Sequence, residues 1–310
     1  MSLAEKIASD LNLTAQYVEL VARTASHRYK SYSIPKKTGG FRAINHPARE
    51  LKLFQRWLIK NLFSRLPVHR SACAYKKGSS IYRNASQHRT RNFLLKVDFR
   101  DFFPSIRGHD LHRLLRSNSD SLRGFVQTPA DRELVRRLVC RDDKLTIGAP
   151  SSPVLSNTVM YEFDRKWSSY AHEKQIAYSR YADDLYFSTN ERGVLNVALA
   201  DLKRDLRRRR SPVLHINEEK TVFTSRKRKK LVTGLVLTPE GTISLGRKRK
   251  RFLRALIYRK AQGQLSAADF ASLRGSLAFA RSVEPEFLNR LLRKYGAQTM
   301  DSLLGAGAIG

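Results

Sequence analysis

The chain has 310 residues, carries 59 Lys and Arg against 27 Asp and Glu, and contains 41% hydrophobic residues, so its formal net charge is +32. The hydrophobic fraction is too high for a disordered chain, and the positive charge indicates a polyanionic partner, of which nucleic acid is the commonest. Cys73 and Cys140 lack the spacing of a disulfide framework or a zinc site, no apolar run could span a membrane, and the N-terminus does not resemble a secretory signal. We therefore expect a folded, cytoplasmic protein that does not associate with a membrane.

Hydrophobic spacing predicts the elements of the N-terminal half. Apolar residues at helical spacing predict helices over 3–31 and 48–66, and Gly39-Gly40 between two β-prone runs predicts a hairpin. Alternation over 93–98 predicts a strand that ends in the carboxylate Asp98, and residues 109–140 have a helical pattern.

The second half begins with the run GAPSSP, which predicts a helix capped by Ser152 with Pro153 in its first turn. Residues 176–188 predict a β-hairpin with two acids at its turn. A helix over 193–209, strands in LHINEEKTVF and KLVTGLVLT, and helices from 245 to 295 follow. We predict a mixed α/β body over 1–240 and a smaller helical domain over 241–310.

Asp183 and Asp184 at the hairpin turn indicate a bound cation. Two such carboxylates repel each other by roughly 4 kcal/mol at 4 Å and an effective dielectric constant of about 20. Magnesium binds one or two carboxylates together with substrate phosphates. The alternative is a solvated turn, since acids are common in turns. Asp98 adds a third carboxylate, and three of them favour two-metal phosphoryl transfer.

Three segments resemble the palm motifs of reverse transcriptases: LLKVDFRDFFPSI, GAPSSPVLSN and YSRYADDLYFS, in this order, followed by INEEKT and LVTGLV. The resemblance covers residues 35–240. It implies an α+β right-hand polymerase fold, with fingers and palm over 1–240 and a helical, RNA-binding thumb over 241–310. It also implies two Mg²⁺ ions and dNTP substrates. A catalytically inactive RNA-binding relative and an RNA-dependent RNA polymerase are the alternatives.

The resemblance also assigns roles to single residues. Asp98 and Asp183 would bridge both ions, Asp184 would complete the cluster, and the backbone carbonyl of Phe99 would reach the second ion. Phe103 would abut the sugar 2′ position and reject ribonucleotides, unless it is an ordinary core aromatic. The nucleotide-binding residues would be Arg42, Asp101, Phe102, Phe103, Gly148, Ala149, Pro150 and Lys220.

One neighbouring position departs from the family pattern, and one assigned residue has an alternative interpretation. The family usually has Gln before the glycine of GAPSSP, where this chain has Ile147, so a polar contact expected near the nucleotide is missing. Lys220 would donate a proton to pyrophosphate, with a solvated lysine as the alternative.

Two further motifs resemble those of bacterial retron reverse transcriptases. Asn84, Ala85 and His88 match NAxxH, and the run Val232, Thr233 and Gly234 matches VTG. Alternatives are a packed histidine at 88 and a strand bulge at 234. A group II intron or diversity-generating reverse transcriptase would share the palm but lack both motifs.

A retron enzyme copies part of a cognate structured noncoding RNA into branched, RNA-linked single-stranded DNA primed from a guanosine 2′-hydroxyl. The partners that the resemblance implies are the cognate RNA, its DNA copy, host RNase H, and an effector or toxin protein in antiphage defence. The basic runs 226–230 and 247–251 would bind RNA, with Phe252, Leu256 and Tyr258 interleaved on the second. A solvated charged face is the alternative. The second run consists of Arg247, Lys248, Arg249, Lys250 and Arg251.

Overall fold

The structure is a computed structural model that describes residues 1–36, 39–296, 300 and 303. Its helices are α1 (Leu3–Leu11), α2 (Ala15–Arg23), α3 (Arg49–Asn61), α4 (Ile81–Ser86), α5 (Phe102–Ser105), α6 (Gly108–Ser117), α7 (Pro129–Val139), α8 (Ser151–Val159), α9 (Tyr161–Glu173), α10 (Val194–Arg208), α11 (Arg247–Ala261), α12 (Ala267–Val283) and α13 (Pro285–Tyr295). Its strands are β1 (Tyr29–Pro35), β2 (Phe41–Pro47), β3 (Phe93–Arg100), β4 (Ala177–Tyr181), β5 (Asp184–Thr189), β6 (His215–Ser225), β7 (Lys230–Val232), β8 (Leu235–Leu237) and β9 (Ile243–Ser244).

The continuous helix predicted over 3–31 is wrong, because two shorter helices, α1 and α2, and the start of β1 occupy these residues. Asn12 adopts a left-handed conformation (φ 53°) that ends α1, and the hydroxyl of Thr14 then caps α2 by accepting the N–H of Tyr17. Strand β1 begins at Tyr29. Asn and Thr favour such caps because their short polar side chains bond to nearby backbone groups.

The strands form three sheets. The antiparallel pair β1–β2 is the predicted hairpin, and its turn places Gly39 and Gly40 at positive φ with the N–H of Lys36 bonded to the carbonyl of Gly40 at 2.9 Å. A four-stranded sheet has the order β4-β5-β3-β6, and a three-stranded sheet has the order β7-β8-β9. The first of these larger sheets contains β3 and the β4–β5 hairpin, whose ends carry the three acids.

Aromatic residues pack beneath the C-terminal end of β3, which carries Asp98. The ring of Phe99 meets that of Phe163 on α9 edge to face at 5.9 Å, and Trp167, one turn further, meets Phe187 of β5 in the same way at 5.8 Å. All four side chains are buried. Such rings bury large apolar areas and have few rotamers, so they hold β3 and β5 rigidly against α9.

The chain divides into two compact units. The first comprises residues 1–78, 96–187 and 193–222, and the second comprises 79–95, 188–192 and 223–310. The second unit contains α4, the β7–β9 sheet and α11–α13. The functional boundary at residues 240 and 241 stays a prediction. Across the described residues, we find no helix with the length and apolar character needed to cross a membrane.

Candidate active site

The turn between β4 and β5 consists of Ala182 and Asp183 and is bonded directly to β3. Ala182 has a positive φ of 57°, and the strands on either side of the turn are largely buried. The N–H of Phe99 donates a hydrogen bond to the carbonyl of Asp183 at 3.1 Å. The chain segments that carry Asp98, Asp183 and Asp184 therefore lie side by side, as the sequence motifs predicted.

Two lysines neutralise part of this negative charge. The ammonium of Lys220 lies 3.2 Å from Oδ1 of Asp98, and that of Lys96 lies 2.8 Å from Oδ1 of Asp184. The hydroxyl of Tyr186 donates to the other oxygen of Asp184 at 3.0 Å. Lys220 is half exposed, whereas the Asp98 side chain is only 8% exposed. Lys96 was not among the site residues predicted from the sequence, although strand alternation places it on the same face as Asp98.

Burial and neighbouring charges raise the pKa of both acids at the turn. Burial, followed by the nearby charges of Asp184 and Asp98, raises the pKa of Asp183 to about 6. Burial also raises the pKa of Asp184, although Lys96 and Tyr186 act in the opposite direction. Buried carboxylates that repel each other favour a cation between them.

This donor set fits a hard divalent cation, because carboxylate oxygens are the ligands that Mg²⁺ prefers. No group of three or more His, Cys, Asp and Glu side chains in the described part of the chain is already arranged as a metal centre.

The segment after Asp98 contains two buried aromatic residues, Phe99 and Phe102, and one that is partly exposed, Phe103. Phe102 is buried and stacks on Phe99 with centroids 5.9 Å apart. Phe103 is half-buried, and its ring lies 6.4 Å from that of Tyr75, which is 49% exposed. Asp101 is exposed and left-handed (φ 46°), as required for the chain to turn from β3 into α5. Tyr75 is a second residue that the sequence interpretation missed, and no motif pointed to it.

The β1–β2 hairpin is bonded to the segment around Gly148. The N–H of Asn45 donates to the carbonyl of Ile147 at 2.8 Å. Gly148 has a φ of +113°, and a Cβ there would lie 2.7 Å from the carbonyl oxygen of Asn45. Ile147 thus contacts the hairpin through its backbone carbonyl, and this contact does not require a Gln side chain. Arg42 lies exposed on β2 of the same hairpin.

The start of α8 differs from the prediction. Ala149 is buried and Pro150 occupies the N-cap position without a side-chain cap. The prediction that Ser152 caps this helix is wrong, because Ser152 lies inside the helix. Its hydroxyl accepts the N–H of Thr146 at 3.2 Å. Pro153 lies in the first turn, as predicted.

The NAxxH residues are buried in the second unit. Asn84, Ala85 and His88 are 0% exposed. The Nδ1 of His88 lies 2.7 Å from the hydroxyl of Ser188, and burial lowers the pKa of His88 to about 3. These side chains do not face solvent, so the RNA contact predicted for them needs correction: any effect on RNA would be indirect.

The VTG residues form the turn between β7 and β8. Thr233 and Gly234 both have positive φ, 48° and 80°, as a two-residue hairpin turn requires. Val232 is buried, and Gly234 is exposed. The hydroxyl of Thr233 donates to the carbonyl of Ile81 at 3.1 Å, so α4, which carries part of NAxxH, supports this turn. The single strand predicted for KLVTGLVLT is therefore a hairpin.

The basic run at the start of α11 has two kinds of members. Lys250 forms an ion pair with Glu284 and is 19% exposed, and the guanidinium of Arg249 lies 5.0 Å from the ring centroid of Phe279. Four cations of the run line a groove of about 1050 Å³ together with Lys229; they are Arg247, Lys248, Arg251 and also Lys250, whose ammonium is held by Glu284.

The aromatic and aliphatic residues predicted to interleave with this run also differ among themselves. Phe252 and Tyr258 are more than half exposed, but Leu256 is buried. Leu256 is therefore a core residue of the second unit and not part of the exposed face of α11.

The comparisons with known proteins agree in family. Residues 34–248 match the model of the family described as reverse transcriptase (RNA-dependent DNA polymerase). The chain is 40% identical over 294 residues to the retron Ec83 reverse transcriptase of Escherichia coli, covering 92% of both chains. It is 35% identical to the retron Ec73 reverse transcriptase of E. coli, covering 86% of both chains. It is also 31% identical to the retron Mx162 reverse transcriptase of Myxococcus xanthus, covering 91% of this chain and 64% of that protein.

Solved structures share the fold at low sequence identity. A telomerase from Candida albicans in complex with a fragment of telomeric RNA has a TM-score of 0.51 and 14% identity, over 95% of this chain and 59% of that one. An apo telomerase from Candida tropicalis has a TM-score of 0.52 and 12% identity, over 86% and 57%. This chain thus spans less than two thirds of either telomerase. The likeness confirms the α+β right-hand polymerase fold predicted from the sequence.

Proposed function

This chain belongs to the reverse transcriptase family, among the retron enzymes, and we propose that Asp98, Asp183 and Asp184 hold two Mg²⁺ ions for its RNA-directed DNA polymerase reaction. One observation carries the proposal: the bond from Phe99 to Asp183 sets the ends of β3 and β4–β5 side by side, so three acids share one edge of a rigid sheet. Divalent ions bound there would activate the primer hydroxyl and stabilise the leaving pyrophosphate.

The protein's own groups perform the remaining tasks. Asp98, Asp183 and Asp184, together with the backbone carbonyl of Phe99, would hold the two ions. Lys220, half exposed and beside Asp98, would donate a proton to the leaving pyrophosphate. Lys96 would keep Asp184 paired and ionised.

The incoming nucleotide would lie between the hairpin and the segment after β3. Arg42 would grip the triphosphate with its guanidinium fork, while the backbone N–H groups of Asp101 and Phe102 would bond to it. Phe103, half-buried and partly free to meet a ligand, would exclude a ribose 2′-hydroxyl. The backbone of Gly148, Ala149 and Pro150 would lie beneath the nucleotide and template base.

The substrate RNA would be a structured noncoding RNA specific to this enzyme. We propose that a guanosine 2′-hydroxyl of that RNA primes synthesis, so that the DNA product stays branched and covalently linked to RNA. Support comes from the identity to retron enzymes over most of the chain and from the paired NAxxH and VTG elements. Host RNase H would remove the copied template, and an effector or toxin protein would join the complex in antiphage defence in the bacterial cytoplasm.

The alternatives make different demands on the chain. A catalytically inactive RNA-binding relative does not need all three acids, whereas this chain has Asp98, Asp183 and Asp184 on segments that are bonded to each other. A group II intron or diversity-generating enzyme does not need NAxxH and VTG, whereas here the helix that carries part of NAxxH accepts a hydrogen bond from the VTG turn.

The priming proposal is tested on DNA isolated from cells that express the protein with the RNA of its own locus. We expect the DNA 5′ end to be blocked until debranching enzyme and RNase are added. A double variant Asp183→Asn/Asp184→Asn provides the control for DNA made by other polymerases. A free DNA 5′ end before treatment would refute 2′-hydroxyl priming and leave the polymerase activity standing.

A further inference from the structure

Arg180 is a completely buried arginine two residues before the catalytic turn, and none of the roles above uses it. Its Nε and Nη2 bond to both oxygens of Asp164 on α9 at 2.6–3.1 Å. The hydroxyl of Tyr178 donates to Oδ1 of the same carboxylate at 2.8 Å. Burying two charges is costly unless such bonds satisfy them, and a planar guanidinium does so with a fixed orientation.

The remaining guanidinium nitrogen reaches the turn itself. Nη1 of Arg180 donates to the carbonyl oxygen of Ala182 at 3.1 Å. Ala182 has a left-handed φ of 57°, which is strained for a residue with a side chain and persists only where surrounding structure fixes it. Its carbonyl belongs to the peptide that leads into Asp183, so this bond fixes the orientation of that peptide.

The backbone of Arg180 is fixed as well. Its N–H donates to the carbonyl of Ser71 at 2.8 Å, and its carbonyl accepts the N–H of Cys73 at 2.7 Å. The amide of Asn157 on α8 donates to the carbonyl of Ala74 at 2.8 Å and anchors the same segment. The guanidinium therefore extends from a backbone that has little freedom to move, and its contact with the turn is correspondingly well defined.

We propose that Arg180 is a positioning residue for the metal-binding turn. The carboxylate of Asp164 holds the guanidinium in place, and the guanidinium sets the peptide between Ala182 and Asp183, so that Asp183 is presented to a divalent cation beside Asp98. This inference rests on the proposed metal-binding function. A merely structural ion pair can often be replaced by apolar residues of similar size without loss of stability. A positioning pair cannot be replaced without loss of metal affinity.

The test is Arg180→Lys in the full chain. Lysine keeps a charge beside Asp164 but lacks the planar fork that reaches Ala182. We expect Mn²⁺ binding, followed by the electron paramagnetic resonance of free Mn²⁺, to weaken by about tenfold, the factor that corresponds to losing one hydrogen bond. The Mg²⁺ concentration for half-maximal primer extension should rise in parallel. Affinity for a DNA primer annealed to an RNA template should stay within about twofold of wild type, a change of under half a kcal/mol.

Arg165→Lys is the matched control, because Arg165 lies on α9 next to Asp164 but is exposed, and its guanidinium bonds to the carboxylate of Glu162. It should leave Mn²⁺ affinity unchanged. If Arg180→Lys does not fold, the triple variant Asp164→Leu/Tyr178→Phe/Arg180→Met removes the three polar partners together. Wild-type Mn²⁺ affinity in either folded variant would overturn the inference.

The outcomes separate this inference from the proposed function. If Asp183→Asn/Asp184→Asn abolishes Mn²⁺ binding and Arg180→Lys leaves it unchanged, only the role of Arg180 fails. If the double Asn variant binds Mn²⁺ normally, the metal site itself is wrongly placed.

Discussion

The backbone N–H of Asn45 donates a hydrogen bond of 2.8 Å to the carbonyl oxygen of Ile147, which precedes Gly148. This bond joins the strand that carries Arg42 to the segment that would lie beneath the nucleotide. Two of the sequence motifs, far apart in the chain, are thus parts of one rigid surface. Because the contact uses backbone groups alone, it does not depend on which side chain stands at position 147.

Gly148→Ala should damage this surface. A Cβ at Gly148 would lie 2.7 Å from the oxygen of Asn45 and 3.0 Å from Cγ2 of Ile44, at a φ of +113° that favours glycine. We expect a loss of about 1–3 kcal/mol in the free energy of unfolding and a higher KM for dNTP, measured by urea denaturation and primer extension. Gly275→Ala in α12, where a Cβ meets nothing, should instead be neutral or stabilising by up to about 1 kcal/mol. Equal behaviour of the two variants would argue against the close contact.

Phe103→Ala should relax discrimination against ribonucleotides by roughly tenfold or more, because it removes the bulk expected against the 2′-hydroxyl. Tyr75→Ala should have a smaller effect in the same direction, since the Tyr75 ring packs 6.4 Å from that of Phe103. Tyr75→Phe keeps the ring and serves as the control. The measurement is kcat/KM for rNTP relative to dNTP on one primer–template. An unchanged ratio in Phe103→Ala would make Phe103 a core residue and not a gate.

RNA affinity should depend steeply on salt and on only some members of the basic run. Replacing Arg247, Lys248 and Arg251 with Gln should flatten the log–log salt dependence by about 0.7–0.9 for each phosphate that is no longer neutralised. Lys250→Gln should leave the slope unchanged and lower stability, because Lys250 is paired with Glu284. Filter binding of a structured RNA at several salt concentrations measures the slopes. A salt-dependence slope altered by Lys250→Gln alone would show that Lys250 also neutralises an RNA phosphate.

His88 should make the protein less stable in mild acid. The pKa of His88 is about 3 in the folded protein and near 6.5 in the unfolded chain. Between these two pH values the unfolded state therefore binds more protons than the folded state. The stabilisation is complete above pH 6.5 and is lost as the pH falls below it, at about 1.4 kcal/mol per pH unit.

The measurement for His88 is urea denaturation at about pH 7.5 and about pH 5.5. The difference between the two free energies of unfolding should be smaller in His88→Gln than in the wild type. His215→Gln, which replaces an exposed histidine, should keep the wild-type difference. An identical pH dependence in the wild type and His88→Gln would show that His88 is not buried in its neutral form.

Local patterns predicted the elements that carry the site, and contacts between distant segments limited the rest. Alternation in β3 and the paired β-rich runs around Asp183 are properties of adjacent residues, so both were predicted correctly. The burial of His88 against Ser188 and the pairing of Lys250 with Glu284 join residues 100 and 34 positions apart. No periodicity encodes such pairs, and a basic run looks equally solvated whether or not one member turns inward. The contact of Arg180 with Asp164 was not predicted for the same reason.

The central claim is that Asp98, Asp183 and Asp184 form the metal site of an RNA-directed DNA polymerase. Its most direct test is extension of a DNA primer on an RNA template by Asp183→Asn/Asp184→Asn, together with the affinity of that variant for the primer–template. The substitution keeps side-chain size but removes the two charges that bind metal, whereas the basic groove is unchanged. We predict no detectable extension with primer–template affinity close to that of the wild type. Normal extension by the double variant would contradict the assignment.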